Sequence, residues 1–367
     1  MNVSISAWKF LVLAAALVAQ SACDRRTDRA LIAVTFANRD AVRLAQETIA
    51  ETAAEGDPVI ILRRVSRGGD ALTKAFSQAE WVLSQPGVVA VVGHESSGSS
   101  LAAAPAYHDA GIPLVVPTAT SPLLHDLPGV FPLPVDDSIQ GAFMVRFAAD
   151  SLAARSATVF YANDVYGYGL RKAVAQECRR AGVAITQEIP LTRSSDIASL
   201  VASAFEEAMT DVVIAASRFP EVWLLARELK RVGLAVPVIA GDGAYNSTPE
   251  IMRVAGSAAD EVYFSMYWDP RLADSVGRSF IDRFRLVAGR APGPVDAMVY
   301  DAIMVVVAAI HGAGPSRAAV TLYLDELGYI RPPYQGVTGP IQFHDRLARP
   351  LVMMHSQGGA PRIVARW

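Results

Sequence analysis

Residues 88–122, VVAVVGHESSGSSLAAAPAYHDAGIPLVVPTATSP, decide the fold. Val88 to Val92 is a short apolar run closed off by Gly87 and Gly93, the pattern of a strand buried on both faces of a parallel sheet. Gly93-His94-Glu95-Ser96-Ser97-Gly98-Ser99-Ser100 follows, a cluster of hydroxyls and glycines that predicts a tight turn. Leu101 to Ala110 is alanine-rich and predicts a helix stopped by Gly111. Ile112 to Val116 is the next strand, ended by Pro117-Thr118-Ala119-Thr120-Ser121-Pro122. Both turns thereby lie at the carboxyl ends of adjacent strands and offer small hydroxyl side chains to one crevice, where an open α/β sheet binds its ligand. The helix after the first turn adds unpaired N–H groups and a positive dipole end, suited to a carboxylate or a phosphate.

The same alternation extends in both directions. Upstream, Leu31 to Phe36 predicts a strand, Ala41 to Ala54 a helix with Val42, Ala45 and Ile49 on one stripe, Val59 to Leu62 a strand, and Ala71 to Ser84 a helix ahead of Pro86-Gly87. Downstream, Asp136-Asp137-Ser138 is an N-cap cluster that opens a second set. It runs helix Ile139–Leu152, strand Ala157–Ala162, turn Asn163–Gly169, helix Leu170–Ala181, strand Val183–Ile189, helix Asp196–Ala208 and strand Asp211–Ala216. The turn Ser217–Pro220, helix Glu221–Val232 and strand Pro237–Ala240 lead to Gly241-Asp242-Gly243 and a loop to Thr248. Strand Glu261–Met266, helices Ala273–Val287 and Val295–His311, and strands Gly339–Phe343 and Leu351–His355 complete the pattern. Strands alternating with helices define an α/β protein of doubly wound parallel sheets.

At 367 residues the chain has room for two domains. With 33 basic against 36 acidic residues the net charge is −3, and no basic face for nucleic acid is visible. Lys9 is the only charge before Phe10 to Ala19, an apolar run followed by Gln20-Ser21-Ala22-Cys23, so residues 1–22 are a targeting segment outside the fold. Beyond it, no uncharged apolar run reaches the ~18 residues that span a bilayer. Met298 to Ile310 comes nearest, and Asp301 within it argues for a buried helix. Cys178 is the sole cysteine besides Cys23 and reads as a partly buried helix residue, with neighbours that give little support for a reactive thiol. If Cys23 is lipidated or removed, the mature chain has no internal disulfide.

The serine-rich turn at Gly93–Ser100 paired with Pro117-Thr118-Ala119-Thr120-Ser121-Pro122 resembles the type I periplasmic binding proteins, specifically the branched-chain amino-acid (Leu/Ile/Val) branch of ABC-importer receptors. The likeness runs from about Ala30 to the end. It implies two lobes, residues 28–138 with 266–349 and 139–265 with 350–367, joined by a hinge crossed near residues 138, 266 and 350. It implies Ser97, Thr118, Thr120, Tyr166 and Asp242 as ligand-binding positions, with Tyr166 and Asp242 reaching the ligand from the second lobe. It further implies an amino acid or similar small carboxylate as ligand, an ABC permease as partner, closure on binding as the signal, and no cofactor; six scattered histidines with no His-x-x-x-His or Cys-x-x-Cys spacing argue separately against a metal. Two departures stand out. The loop after the first strand shrinks to about Ala37–Asp40, and Arg218 stands where close relatives place an aromatic residue. Relatives also carry a disulfide near the serine turn, where this chain has Ser96. Ser21-Ala22-Cys23 resembles a bacterial lipoprotein signal, although Gln20 replaces the usual leucine, and Asp24 resembles an inner-membrane retention signal. The chain is therefore expected in the periplasm, anchored to the inner membrane by lipidated Cys23 and a tether at residues 23–29; the alternative is an ordinary secretory peptide cut nearby.

The chemistry of the pattern fits that resemblance. An α-amino acid presents a carboxylate and an ammonium on one carbon. Ser97, Ser99 or Ser100 with nearby N–H groups could take the carboxylate, Thr118 and Thr120 could bridge, and Asp242 could face the ammonium. Arg218 leaves several readings open: it faces a second acidic or polar group of the ligand, it pairs with Asp242 or Glu221, or it points to solvent. A sensory or regulatory lipoprotein of the same fold, binding an amide or a protein partner, is the alternative function. Enzymatic readings are weaker. Gly93-His94-Glu95-Ser96-Ser97-Gly98 is one residue too long for a nucleophile elbow, and His94 is better read as structural than as partner to Ser97 and Asp109. Gly167-Tyr168-Gly169 lacks the third glycine of a dinucleotide loop.

Overall fold

The computed structural model describes residues 29–192, 195–207, 209–345, 349–358 and 360–367. The targeting segment, Cys23 and most of the tether fall outside them. The first sheet is wholly parallel, in the order β2-β1-β3-β4-β5, with β1 at Arg29–Val34, β2 at Val59–Arg64, β3 at Val88–Val92, β4 at Leu114–Val116 and β5 at Val130–Pro132. The second sheet collects β6 (Ser156–Ala162), β7 (Ala184–Leu191), β8 (Val212–Ala216), β9 (Val238–Ala240) and β10 (Val262–Met266). β11 (Tyr334–Gly336) and β12 (Gly339–Ile341) form a separate two-stranded hairpin. β13 (Val352–Gln357) and β14 (Ala360–Arg366) complete the second sheet, in the order β14-β13-β10-β9-β8-β6-β7.

Strand composition explains placement. β3 and β8, both in the interior of their sheets, are apolar at every position and wholly buried, as a strand covered by helices on both faces must be. β14 lies at an edge and alternates intermediate with exposed residues. Its pairing with β13, and that of β13 with β10, are antiparallel, so these two strands add an antiparallel edge to an otherwise parallel second sheet. The segment Gly339–Phe343 does not join the first sheet as a late strand. It pairs with Tyr334–Gly336 in the hairpin, and that hairpin packs on helix Pro294–Ala313.

Helices Ser275–Ala288 and Pro294–Ala313 pack on helix Arg39–Thr52, and Arg317–Glu326 packs on β3, so after β10 the chain returns to the first sheet before leaving again for β13. Helix Pro294–Ala313 is apolar and long enough to cross a membrane, yet most of it is buried. Asp301 within it is 0% exposed and accepts N–H bonds from Val337 at 2.7 Å and Thr338 at 2.9 Å. It is the core helix the interrupting aspartate implied.

Two local details position the cleft. The helix after β3 begins at Ser97, earlier than the expected Leu101. Ser96 and Ser99 close a reciprocal capping box in which each hydroxyl accepts the other's N–H, at 3.1 and 3.2 Å. After β6 the helix likewise starts early, at Val165, with Asp164 as N-cap accepting from the Gly167 N–H at 3.0 Å. Gly167 therefore lies inside a helix, and a Cβ there would stand 2.0 Å from the Ala162 carbonyl oxygen. Its role is close helix–strand approach, and the dinucleotide-loop reading is set aside.

Candidate functional site

The carboxyl ends of the two sheets face one another around a cavity of about 200 Å³. Ser97, Thr118 and Thr120 line it from the first lobe, and Tyr166, Arg218 and Asp242 line it from the second. All six residues picked out in the sequence thus meet in one place, though up to 145 positions separate them in the chain (Asp242 − Ser97).

On the first-lobe side the serines divide by function. Ser99 donates its hydroxyl to the Ser96 carbonyl at 2.9 Å, and the Ser100 hydroxyl accepts the His94 N–H at 3.3 Å. Ser97 is the one of the three that lines the cavity. It opens the helix, where N–H groups lack intrahelical partners. The Thr118 hydroxyl reaches the Glu95 carbonyl at 3.5 Å, and the Thr120 carbonyl accepts the Asp137 N–H at 2.8 Å, tying the second turn to the start of helix Asp137–Arg146.

On the second-lobe side Asp242 follows β9 in a short helical turn. Its Oδ1 accepts from Gln140 Nε2 at 3.0 Å and from the Tyr166 hydroxyl at 3.3 Å, while its N–H donates to Gln140 Oε1 at 2.6 Å. Ser265 holds Gln140 from β10 by donating to the same Oε1 at 2.7 Å. Burial pushes the Asp242 carboxyl above its usual range, against the pull of Gln140, Tyr166 and Arg218. Burial also pushes Tyr166 well up, so it remains a neutral hydroxyl.

Arg218 faces the cavity, but its partner is neither Asp242 nor Glu221. The guanidinium grips Asp164 with two bonds, at 2.6 and 3.3 Å, and lies 4.4 Å from the centre of the Tyr166 ring. The planar fork that could have met a second ligand carboxylate is already occupied by the N-cap of a neighbouring helix.

His94 is structural, as expected. It is 1% exposed, its ring nitrogens meet Gln78 Oε1 and the Tyr107 hydroxyl, each at 3.1 Å, and burial lowers its pKa to about 4. Neither nitrogen is left to serve as a base for Ser97, and Asp109 is exposed at the far end of the helix. Cys178 is buried more completely than anticipated, and burial raises its pKa to about 11, which suits an inert thiol. Among the described residues no group of three or more His, Cys, Asp or Glu is placed to hold a metal.

Several cavity residues escaped the sequence reading. Phe36, Val295 and Met266 give it an apolar wall, and Tyr245 and Tyr267 add rings. Phe36 and Met266 come at or just after the ends of strands that were recognised, which was the available signal. The shortened loop after β1 is anchored through Glu95, whose carboxylate accepts the Ala37 N–H at 3.0 Å and pairs with Lys74 at 2.9 Å. Gln140 and Asp137, beneath the site, had no sequence signal beyond the cap cluster.

A family model described as periplasmic binding protein matches residues 33–360. The chain belongs to the periplasmic binding protein family, one of solute receptors. An amino acid binding protein of Pseudomonas aeruginosa is 28% identical over 253 residues, 67% of each chain. The leucine-, isoleucine-, valine-, threonine- and alanine-binding protein of the same species is 27% identical over 243 residues, so the chain spans 64% of that relative's length. The crystal structure of a leucine-binding protein from Thermotoga maritima superposes with a TM-score of 0.81, at 23% identity, over 92% of this chain and 98% of that one.

Proposed function

We propose that this protein is the substrate receptor of an ABC importer and takes an amino acid or a similar small carboxylate in the cleft between its lobes. The observation that carries this is the convergence of Ser97, Thr118 and Thr120 from one lobe with Tyr166 and Asp242 from the other on a single cavity. Hydroxyls and a helix start face a carboxylate; an acceptor-rich Asp242 faces an ammonium. The apolar wall of Phe36, Met266 and Val295 suits an apolar side chain. Relatives named for leucine, isoleucine and valine support the same class.

Arg218 weighs differently from the sequence expectation. With its fork held by Asp164, a ligand bearing a second acid would have to break that pair, so neutral side chains are favoured over acidic ones. A ligand that touches both lobes stabilises the closed arrangement by its differential contacts, and closure around the cleft is the form a permease would recognise. The lipoprotein reading of Cys23 supplies the membrane tether. Calorimetric titration with leucine, isoleucine, valine and glutamate tests the function. Binding of the apolar amino acids with weaker or no binding of glutamate is expected, and silence from all four would reject the amino-acid reading.

A further inference from the structure

Asp137 is the polar group in this region that the site has not absorbed. It is 0% exposed, and neither of its carboxyl oxygens has a partner in full hydrogen-bonding geometry, the Thr120 hydroxyl being the donor close enough to favour its anion. It opens helix Asp137–Arg146 beside the N-cap Asp136, and its N–H donates to the Thr120 carbonyl at 2.8 Å, which fixes it directly behind the second ligand turn. The helix Val165–Ala181 leaves room for it at Gly169, where a Cβ would stand 3.2 Å from Oδ2.

The groups around it decide its state. Burial dominates and opposes ionisation. The Thr120 hydroxyl favours the anion, Asp242 and Asp136 oppose it, and Arg218 attracts it while being held by Asp164. A buried carboxylate with so little donor support keeps its proton. A carboxylic acid then brings one O–H that needs an acceptor.

We infer that Asp137 is a neutral carboxylic acid whose O–H donates to the Thr120 hydroxyl, fixing that hydroxyl as a donor toward the cavity and selecting a carboxylate at this end of the ligand. A hydroxyl has one hydrogen. Were Asp137 ionised, the Thr120 hydrogen would turn inward and the cavity would meet a lone pair, which suits an ammonium. Asp137 is thus a positioning residue acting through Thr120. The ligand half of the inference rests on the amino-acid reading above; the protonation half does not.

Infrared spectroscopy of the ligand-free protein at neutral pH decides the state of Asp137. A carboxylic-acid carbonyl band should be present, should vanish in Asp137→Asn, and should move to higher frequency in Thr120→Val, which keeps the shape but removes the acceptor. No such band, or one unchanged by both substitutions, overturns the inference. Titration with L-leucine addresses the ligand half. The amide N–H of Asp137→Asn can still donate to Thr120, so affinity should stay within about threefold, whereas Asp137→Leu should lose roughly tenfold or more. An equal loss in both variants at unchanged melting temperature also overturns it. If leucine fails to bind the wild type, the amino-acid reading falls, and the infrared result still decides Asp137.

Discussion

Replacing Asp242 with asparagine separates the ligand's charge from the shape of its site. The Asp242 Oδ1 accepts from Gln140 and Tyr166 at 3.0 and 3.3 Å, and an asparagine Oδ1 can keep both contacts. What disappears is the negative charge and the acceptor character of Oδ2. A hydrogen bond to a charged group contributes ~1.5–3 kcal/mol, so the dissociation constant for leucine should rise about tenfold to about a hundredfold. Stability should move the other way. Burial raises the Asp242 pKa in the folded state, so the fold binds that proton more tightly than the unfolded chain does. This contribution is most favourable below the unfolded pKa of ~3.9 and declines as pH rises from there to the folded pKa. Asparagine removes that decline, and the melting temperature at neutral pH should hold or rise. Titration calorimetry measures the first effect, scanning calorimetry from acid to neutral pH the second. Wild-type affinity in the variant would refute a contact between Asp242 and the ligand. Weakened binding with a lower melting temperature would show instead that the site had come apart.

Arg218→Ala should cost at most about 1 kcal/mol of stability in denaturant titration, since the pair with Asp164 leaves the side chains 34% and 48% exposed, and it should leave glutamate binding no weaker than in the wild type. Small-angle scattering with saturating leucine should give a smaller radius of gyration than without, and an unchanged profile alongside proven binding would reject closure. Asp301→Ala strips a buried acceptor from Val337, Thr338 and the neighbourhood of Arg349, and urea unfolding should show a loss of about 3–5 kcal/mol. Cys23→Ala should abolish lipid labelling and release the protein from membranes; equal retention of both forms would exclude the lipid anchor.

The fold was legible where periodicity and punctuation agree. β3, β4 and β8 are apolar runs closed by glycine, proline or serine, and each lies where the sequence places it. The candidate site was legible because its residues sit in turns immediately after such strands. Helix starts were less so: hydroxyls at 96–100 signal a turn and a helix cap alike, and only the reciprocal bonds of Ser96 and Ser99 decide for the cap. β5, β14 and helix Arg317–Glu326 were missed; β5 is three residues long, and β14 contains a proline and carries arginines at exposed positions. The partner of Arg218 was invisible for a different reason. Asp164 lies 54 residues away, and pairing across that separation is a property of how strands β6 and β8 lie side by side, not of either local sequence. Asp137 shows the same limit: the cap cluster is readable in the sequence, but that Asp136 caps the helix while Asp137 turns inward without a well-formed hydrogen bond is not.

The route of the chain has a consequence for how the molecule can be made and cut. β13 and β14 attach to β10 only after the chain has laid three helices on the side of the other sheet, two against its strands and one against helix Arg39–Thr52. No single cleavage therefore frees an intact half. A deletion beginning at Val352 would leave β3 and its neighbours untouched and would strip the rim from the sheet built by the middle of the chain, baring the hydrogen-bonding edge of β10. During synthesis that edge stays open from the time β10 emerges until β13 follows, so a chain halted between the two carries an unpaired strand edge.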